Sequence, residues 1–121
     1  MPLVVRAFPV LPGKEDQLRE FAAEIAGARR SEASSFYRSF GVSRESWHLQ
    51  KMEHGSWIIG VTEVTDDLEA KAQAYATSER PFDRWFKDQV LQISGINADV
   101  EPLGPPTETL FEFSDTYEQK T

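Results

Sequence analysis

Residues 44–64 read RESWHLQKMEHGSWIIGVTEV, two runs of alternating apolar and polar residues separated by a short polar stretch with one glycine. Two such runs predict a β-hairpin, with strands Arg44–Met52 and Trp57–Val64. A two-residue turn at His54-Gly55 pairs His48 with Val61, and glycine readily adopts the positive φ that this kind of turn needs.

Alternation gives the two faces of this hairpin different side chains. One face carries Trp47, Leu49 and Ile58, which predicts a core packed under helices. The other face mixes large apolar side chains with hydrogen-bonding ones: Ser46, His48, Gln50, Met52, Trp57, Ile59, Val61 and Glu63. We interpret this mixed face as a surface that meets a partner or a ligand.

Helical patterns flank the hairpin on both sides. Apolar residues recur every three or four positions from about residue 14 to residue 28, then over 68–76 and again over 81–94. Pro81 suits the first turn of the last helix, and Gly95 suits its end.

Strand patterns lie at the two ends of the chain. Residues 3–10 predict a strand with apolar side chains on both faces, and alternation over residues 107–113 predicts another. The serine-rich residues 31–42 are either a loop or a short helical turn with an aromatic face. The predicted order is β-α-β-β-α-α-β.

Four strands and packed helices predict an α+β protein with the ferredoxin-like split βαβ sandwich. We expect a four-stranded antiparallel sheet with helices on one face, as a single domain over residues 1–113, and a polar tail over residues 114–121. The other sheet face keeps an apolar set with no helix to cover it: Val4, Phe8, Trp57, Ile59 and Val61. An uncovered face of this kind predicts a homodimer that pairs through the sheets.

The composition excludes several classes of protein. The 121 residues include 20 acidic and 13 basic side chains, and the net charge of −7 repels nucleic acid. The chain has no cysteine, so disulfides and thiolate metal sites are excluded. No apolar run is long enough to cross a membrane, and the opening residues do not resemble a secretory signal. We therefore expect a cytoplasmic protein.

The candidate site residues are polar or aromatic groups near the mixed face. His48 is a candidate general base, with Glu63 on the diagonal of the strand pair and Arg6 expected on the same sheet face as Glu63. Arg6 and Glu63 form either a structural ion pair or a clamp for an anionic substrate. The candidate ligand-binding residues are Phe36, Tyr37, Gln50 and Trp57. Alternatively, His48 is a hydrogen-bonded residue of the dimer interface.

Four segments carry a resemblance to a known family. They are the opening Val4–Phe8 strand, Pro12-Gly13-Lys14-Glu15 before the first helix, the hairpin, and Ser78–Phe82 before the last helix. On these residues the chain resembles the dimeric α+β barrel superfamily, in particular antibiotic-biosynthesis-monooxygenase-like domains. The resemblance implies a barrel of two sheets and a pocket between the sheet and the helices of each subunit.

Members of that superfamily include cofactor-free monooxygenases, haem-degrading enzymes and isomerases. The asparagine, tryptophan and histidine of the haem-degrading members have no counterpart here, since Asn97 is the sole asparagine and neither histidine lies in a helical pattern. We expect no haem, no other cofactor and no metal.

Two functions remain open. The chain is either a cofactor-free, monooxygenase-like enzyme or binder of a small hydrophobic or aromatic metabolite, or a non-catalytic dimeric ligand-binding or scaffold module. A cavity lined by His48, Arg6 or Tyr37 would favour the first, and a space filled by side chains would favour a scaffold.

Overall fold

The hairpin lies in a three-stranded antiparallel sheet in the structure, a computed structural model that describes residues 3–65 and 67–115. The strands are β1 (Leu3–Val10), β2 (Val42–Met52) and β3 (Gly55–Val64), in the order β1-β3-β2. The helices are α1 (Glu15–Ala26), α2 (Arg30–Ser39), α3 (Leu68–Thr77) and α4 (Pro81–Ser94). The predicted α+β class is confirmed.

The predicted signals at the ends of α4 are confirmed. Pro81 is its first residue, where the missing N–H costs no hydrogen bond, and Gly95 ends it in the left-handed conformation with a φ of 80°. Phe82, Phe86 and Ile93 are buried along one face of the helix. This face meets the core above the sheet.

Residues 31–42, which the sequence left open, are mostly helical. They contain most of α2, and Phe36 on that helix is buried. The rings of Phe36 and Phe86 lie 4.6 Å apart between centroids, so α2 and α4 share one aromatic core. This segment therefore closes the helical layer over β2.

The predicted hairpin register is wrong by two residues, although the predicted faces are correct. Glu53 and His54 form the turn, and Met52 pairs with Gly55, so His48 pairs with Ile59 instead of Val61. A shift of two positions moves each side chain along the strand and keeps it on the same face, because side chains alternate with a period of two.

The predicted face of Val4, Arg6 and Phe8 is also wrong. Arg6 pairs with Gly60 and Val4 with Thr62, which puts these side chains on the helix-covered side of the sheet. Apolar residues on both faces of β1 leave its orientation open in the sequence, and pairing with β3 decides it. The open face instead carries Leu3 and Val5, which are 50% and 38% exposed.

The described residues contain no fourth strand. Residues 107–115 form neither strand nor helix, although Thr107 donates its hydroxyl to Val5 O at 2.6 Å beside the edge strand β1. Leu110, Phe111 and Phe113 are largely exposed. The alternating pattern is present, but this segment has no backbone ladder with β1.

A buried lysine ties α3 to α4. Lys87 is 1% exposed, and its ammonium group donates to the carbonyls of Tyr75, Ala76 and Ser78 at 2.9–3.1 Å. It also forms an ion pair with Asp99 at 2.6 Å. The carbonyls at the end of a helix lack intrahelical partners, so Lys87 supplies the donors that end α3.

Candidate functional site

A cavity of about 170 Å³ lies between the sheet and the helices. Its wall is mainly aromatic and aliphatic, and the segment after α4 closes it beside β1. The polar side chains in its lining are few: Arg6, Tyr37, Glu45, Thr62, Lys71, Tyr75, Ser94 and Glu101. An apolar wall with a few polar groups is typical of a small-molecule site.

Gly60 makes room for this cavity in the middle of the sheet. It lies on β3 between Arg6 of β1 and Trp47 of β2, and all three positions face the helices. A Cβ atom at Gly60 would meet no atom of residues 3–65 and 67–115 within 4 Å. The missing side chain therefore leaves open space between the guanidinium and the indole.

Glu45 is held by three donors at the cavity wall. Its Oε2 accepts from Trp47 Nε1 at 2.9 Å and from the Tyr37 hydroxyl at 3.3 Å, and its Oε1 accepts from Thr62. Burial raises the pKa of Glu45, and the hydrogen bonds from Thr62, Trp47 and Tyr37 offset part of that rise. Glu45 is thus a fixed carboxyl group that gains a proton more readily than an exposed glutamate does.

Two tyrosines lie close to this carboxyl group. Burial raises the pKa of both Tyr37 and Tyr75, and the negative charge of Glu45 is the second largest cause of the rise. Both hydroxyls therefore stay protonated at neutral pH, and that of Tyr37 donates to Glu45.

Arg6 lies at the β1 side of the cavity with a donor unused. Its Nη1 donates to Val5 O at 3.1 Å, while its buried Nε has no hydrogen-bond partner among the described residues. Burial lowers the pKa of the guanidinium, which remains charged at neutral pH.

The structure divides the predicted site residues between two places. Arg6, Phe36 and Tyr37 line the cavity. His48, Gln50, Trp57 and Glu63 face the open side of the sheet, as the pairing of both strands requires. His48 is exposed, and its Nε2 lies 3.0 Å from Ser46 Oγ.

The predicted approach of Glu63 to Arg6 and His48 is wrong, because it depended on the predicted face of β1 and on the predicted hairpin register. Arg6 and Glu63 lie on opposite faces of the sheet, because Arg6 pairs with Gly60. His48 pairs with Ile59, so Glu63 is four residues, or about 13 Å, farther along β3. The imidazole and Glu63 are therefore too far apart along the strand pair to form a hydrogen bond.

Sequence reasoning missed Glu45, Gly60, Thr62 and Tyr75. A signal for Glu45 was present, because the alternation that places Trp47 and Leu49 under the helices places this carboxyl group there too. A charged residue beside apolar residues on a core-facing strand face is the pattern to look for. Tyr37 and Tyr75 come from α2 and α3, and their meeting with Glu45 depends on tertiary packing.

Searches for two other kinds of site cover only residues 3–65 and 67–115. This part of the chain holds no cluster of three or more histidine or carboxylate side chains suited to a metal ion. None of its helices combines the length and the hydropathy that crossing a bilayer requires.

Comparisons with known proteins place the fold. No protein-family model matches the chain, and no curated protein matches its sequence. The structure is similar to the crystal structure of L-rhamnose mutarotase from Formosa agariphila, with a TM-score of 0.62 and 16% identity, over 94% of this chain and 100% of that chain. This similarity supports the ferredoxin-like α+β fold, whereas membership of the dimeric α+β barrel superfamily and the antibiotic-biosynthesis-monooxygenase-like assignment stay predictions.

Proposed function

We propose that this chain binds a small, mainly apolar molecule, about the size of one substituted aromatic ring, in the cavity between the sheet and the helices. The observation that carries the proposal is a fixed carboxyl group, Glu45, in the wall of a mainly apolar cavity of about 170 Å³. An apolar cavity of about 150 Å³ is known to take up benzene. The space therefore suits a single ring with small substituents.

We further propose that Glu45 exchanges a proton with this ligand and that the chain is an enzyme that needs no bound cofactor. A general acid or base works best when its pKa lies near the operating pH, and burial raises the pKa of Glu45 in that direction. In the monooxygenase-like reaction that we propose, Glu45 takes a proton from a phenolic ring, and dioxygen then oxidises the ring, with one oxygen atom entering the product and the other leaving as water.

A sugar is the less favoured ligand, although the structural neighbour is an L-rhamnose mutarotase. A sugar carries several hydroxyl groups, and each one needs a hydrogen-bond partner once it leaves water. Most side chains around this cavity are hydrocarbon, with Leu18, Phe21 and Ile58 among them. The wall favours a flat apolar molecule.

The non-catalytic alternative, a dimeric ligand-binding or scaffold module, predicts a different behaviour of the same cavity. A binding module would take up the ligand and release it unchanged. A scaffold would show no uptake at all, and the open space beside Gly60 argues against it.

The open face of the sheet supports a proposal of a homodimer. It carries Val5, Trp57 and Ile59, and Trp57 is 41% exposed. An apolar sheet face of this size gains free energy when a second copy covers it.

The test is the binding of phenol and of indole to the protein, followed in ¹H–¹⁵N NMR spectra. L-Rhamnose, added in a separate titration, represents the sugar ligands. We expect the aromatic probes to shift the indole N–H signal of Trp47 and the amide of Gly60, and L-rhamnose to leave both unchanged. Gly60→Leu fills the space and should abolish the shifts, whereas Gly60→Ala is the matched control with a small side chain.

Two results would overturn this proposal. One is shifts that persist in Gly60→Leu, which would place the probes elsewhere on the surface. The other is uptake of L-rhamnose with no uptake of either aromatic probe. Consumption of dioxygen in the presence of phenolic probes tests the monooxygenase-like reaction separately, with Glu45→Gln as the variant expected to lose it.

A further inference from the structure

We propose that the ligand of this cavity carries a carboxylate or an equivalent anionic group, and that Arg6 binds it at the β1 end. This inference rests on the proposed function and adds the charge and the orientation of the ligand. It arises from a buried donor of Arg6 that no described residue satisfies.

Arg6 differs from the other partly buried arginines of the chain. Arg29 pairs with Glu24 at 2.8 Å, and Arg84 pairs with Asp99 at 2.9 Å. Among the described residues, no carboxylate lies within ion-pair distance of Arg6. A guanidinium has five N–H donors in a planar fork that matches a carboxylate, and one donor of Arg6 is used on the backbone.

The two acidic side chains of the cavity lining are not available to Arg6. Glu45 accepts hydrogen bonds from Tyr37, Trp47 and Thr62. It lies on β2, at the opposite edge of the sheet from β1. Glu101 is exposed on the segment after α4. Among the described residues, the guanidinium therefore has no acidic partner, and its unused donors suit an anionic ligand.

The spacing of the strands sets the length of the ligand. Arg6 and Glu45 project from β1 and β2, the two strands that flank β3, on the same face of the sheet. Arg6 is opposite Gly60, whereas Glu45 is opposite Thr62, so the two backbones are roughly 12 Å apart on a diagonal across the sheet. The gap at Gly60 lies beside this diagonal. An aromatic carboxylate fits this gap with its anionic group at Arg6 and its ring, with any hydroxyl substituent, directed toward Glu45.

The charge of the whole chain makes this recognition local. A net charge of −7 repels anions at long range, so the affinity must come from direct hydrogen bonds to the guanidinium. Such charge-assisted bonds are about twice as strong as neutral ones.

The experiment compares benzoate with benzyl alcohol, a neutral molecule of nearly the same shape, by NMR titration at neutral pH. We expect benzoate to bind the wild-type chain at least about tenfold more tightly, which is a difference of about 1.4 kcal/mol. Arg6→Met keeps an unbranched stem and should reduce the ratio to about one. Arg44→Met removes an exposed arginine from β2 and should leave the ratio unchanged.

The outcomes separate this inference from the proposal it rests on. If wild-type protein binds benzyl alcohol as tightly as benzoate, the anion site is refuted and the cavity proposal stands. If neither probe binds, the cavity proposal fails first. A preference for benzoate that survives in Arg6→Met would also refute the role of Arg6, and the wild-type ratio decides the matter even if that variant does not fold.

Discussion

Trp47 donates its indole N–H to Glu45 Oε2 at 2.9 Å, two residues away on the same face of β2. The indole ring also packs on Phe21, with 5.2 Å between the ring centroids. The carboxyl group is therefore fixed to a side chain that is itself held in the aromatic core. A rigid position is what a group needs in order to act on a ligand at a defined atom.

Tyr37→Phe should raise the pKa of Glu45 further. Burial raises this pKa and the hydroxyl of Tyr37 lowers it by donating to the carboxylate, so removing the hydroxyl leaves burial less opposed. Carboxyl ¹³C NMR signals followed against pH measure the change. Tyr75→Phe is the matched control, because its hydroxyl does not donate to Glu45, and an equal shift in both variants would contradict the prediction.

The same group gives a pH dependence of stability with a definite sign. The folded pKa of Glu45 lies above its usual value of 4.5, so ionising it costs more in the folded chain than in the unfolded chain. Glu45 therefore lowers the free energy of unfolding as pH rises from about 4.5 through the folded pKa. Urea unfolding over this pH range should show a smaller decline in Glu45→Gln than in wild type.

Lys87→Met should destabilise the fold by about 1–3 kcal/mol, because it leaves three carbonyls at the end of α3 without their shared donor, while Asp99 keeps its ion pair with Arg84. Urea unfolding measures this loss. Lys51→Met, at an exposed position near the hairpin turn, should change the stability by no more than about 0.5 kcal/mol. Equal effects of the two substitutions would show that Lys87 does not hold α3.

Asp99 should contribute stability that acid removes. Hydrogen bonds from Lys87 and then Arg84 hold the pKa of Asp99 below its usual value of 3.8. A lowered folded pKa gives stability that is present above the unfolded value and is lost as pH falls through the folded value. Wild-type protein should lose urea resistance below about pH 4 more steeply than Asp99→Asn, and parallel profiles would refute this.

Gly104→Ala should be more destabilising than Gly13→Ala. Both glycines have positive φ, of 74° and 79°, so alanine costs about 1–2 kcal/mol at either position. A Cβ at Gly104 would also collide with the ring of Phe8, while one at Gly13 would meet no atom within 4 Å. Thermal unfolding should show an additional loss of about 1–3 kcal/mol at Gly104. Equal losses would mean that the Phe8 ring moves aside freely.

The open sheet face should pair two copies of the chain. Light scattering should give about twice the chain mass of 13.7 kDa, and Ile59→Lys should give the monomer mass. His54→Lys places the same charge at the hairpin turn and should leave the mass unchanged. We also expect His48→Ala to weaken the dimer more than His54→Ala does, and a wild-type monomer would refute the pairing.

The sequence predicted an element correctly where its residue pattern is compatible with a single structure. The helical repeats, Pro81 and Gly95 located α4, and alternation sorted the hairpin residues between the two faces. The register failed because His54-Gly55 and Glu53-His54 are both possible turns, and both keep the same faces. The orientation of β1 failed because Val4 and Val5 are equally apolar, and only the partner strand distinguishes them.

The candidate site was predicted only in part, because residue type is visible in the sequence and tertiary packing is not. Arg6, Phe36 and Tyr37 were selected by residue type, and the structure brings them to one cavity. The contact of Tyr37 with Glu45 depends on the packing of α2 on β2, and the space beside Gly60 depends on what lies opposite it on both neighbouring strands. Neither the contact of Tyr37 with Glu45 nor the space beside Gly60 can be recognised from the neighbouring residues in the sequence.

Because Lys87 is buried, its chemical modification can report on local unfolding of α3. Amine-reactive reagents modify lysines that meet solvent, and the ammonium group of Lys87 is enclosed under α3 with its side chain 0% exposed. Exposed Lys51 would be acylated at once, whereas Lys87 would react only when α3 lifts away from α4. The rate at which a mass spectrometer detects modified Lys87 thus reports how often the helical cover of the cavity detaches in an otherwise folded molecule.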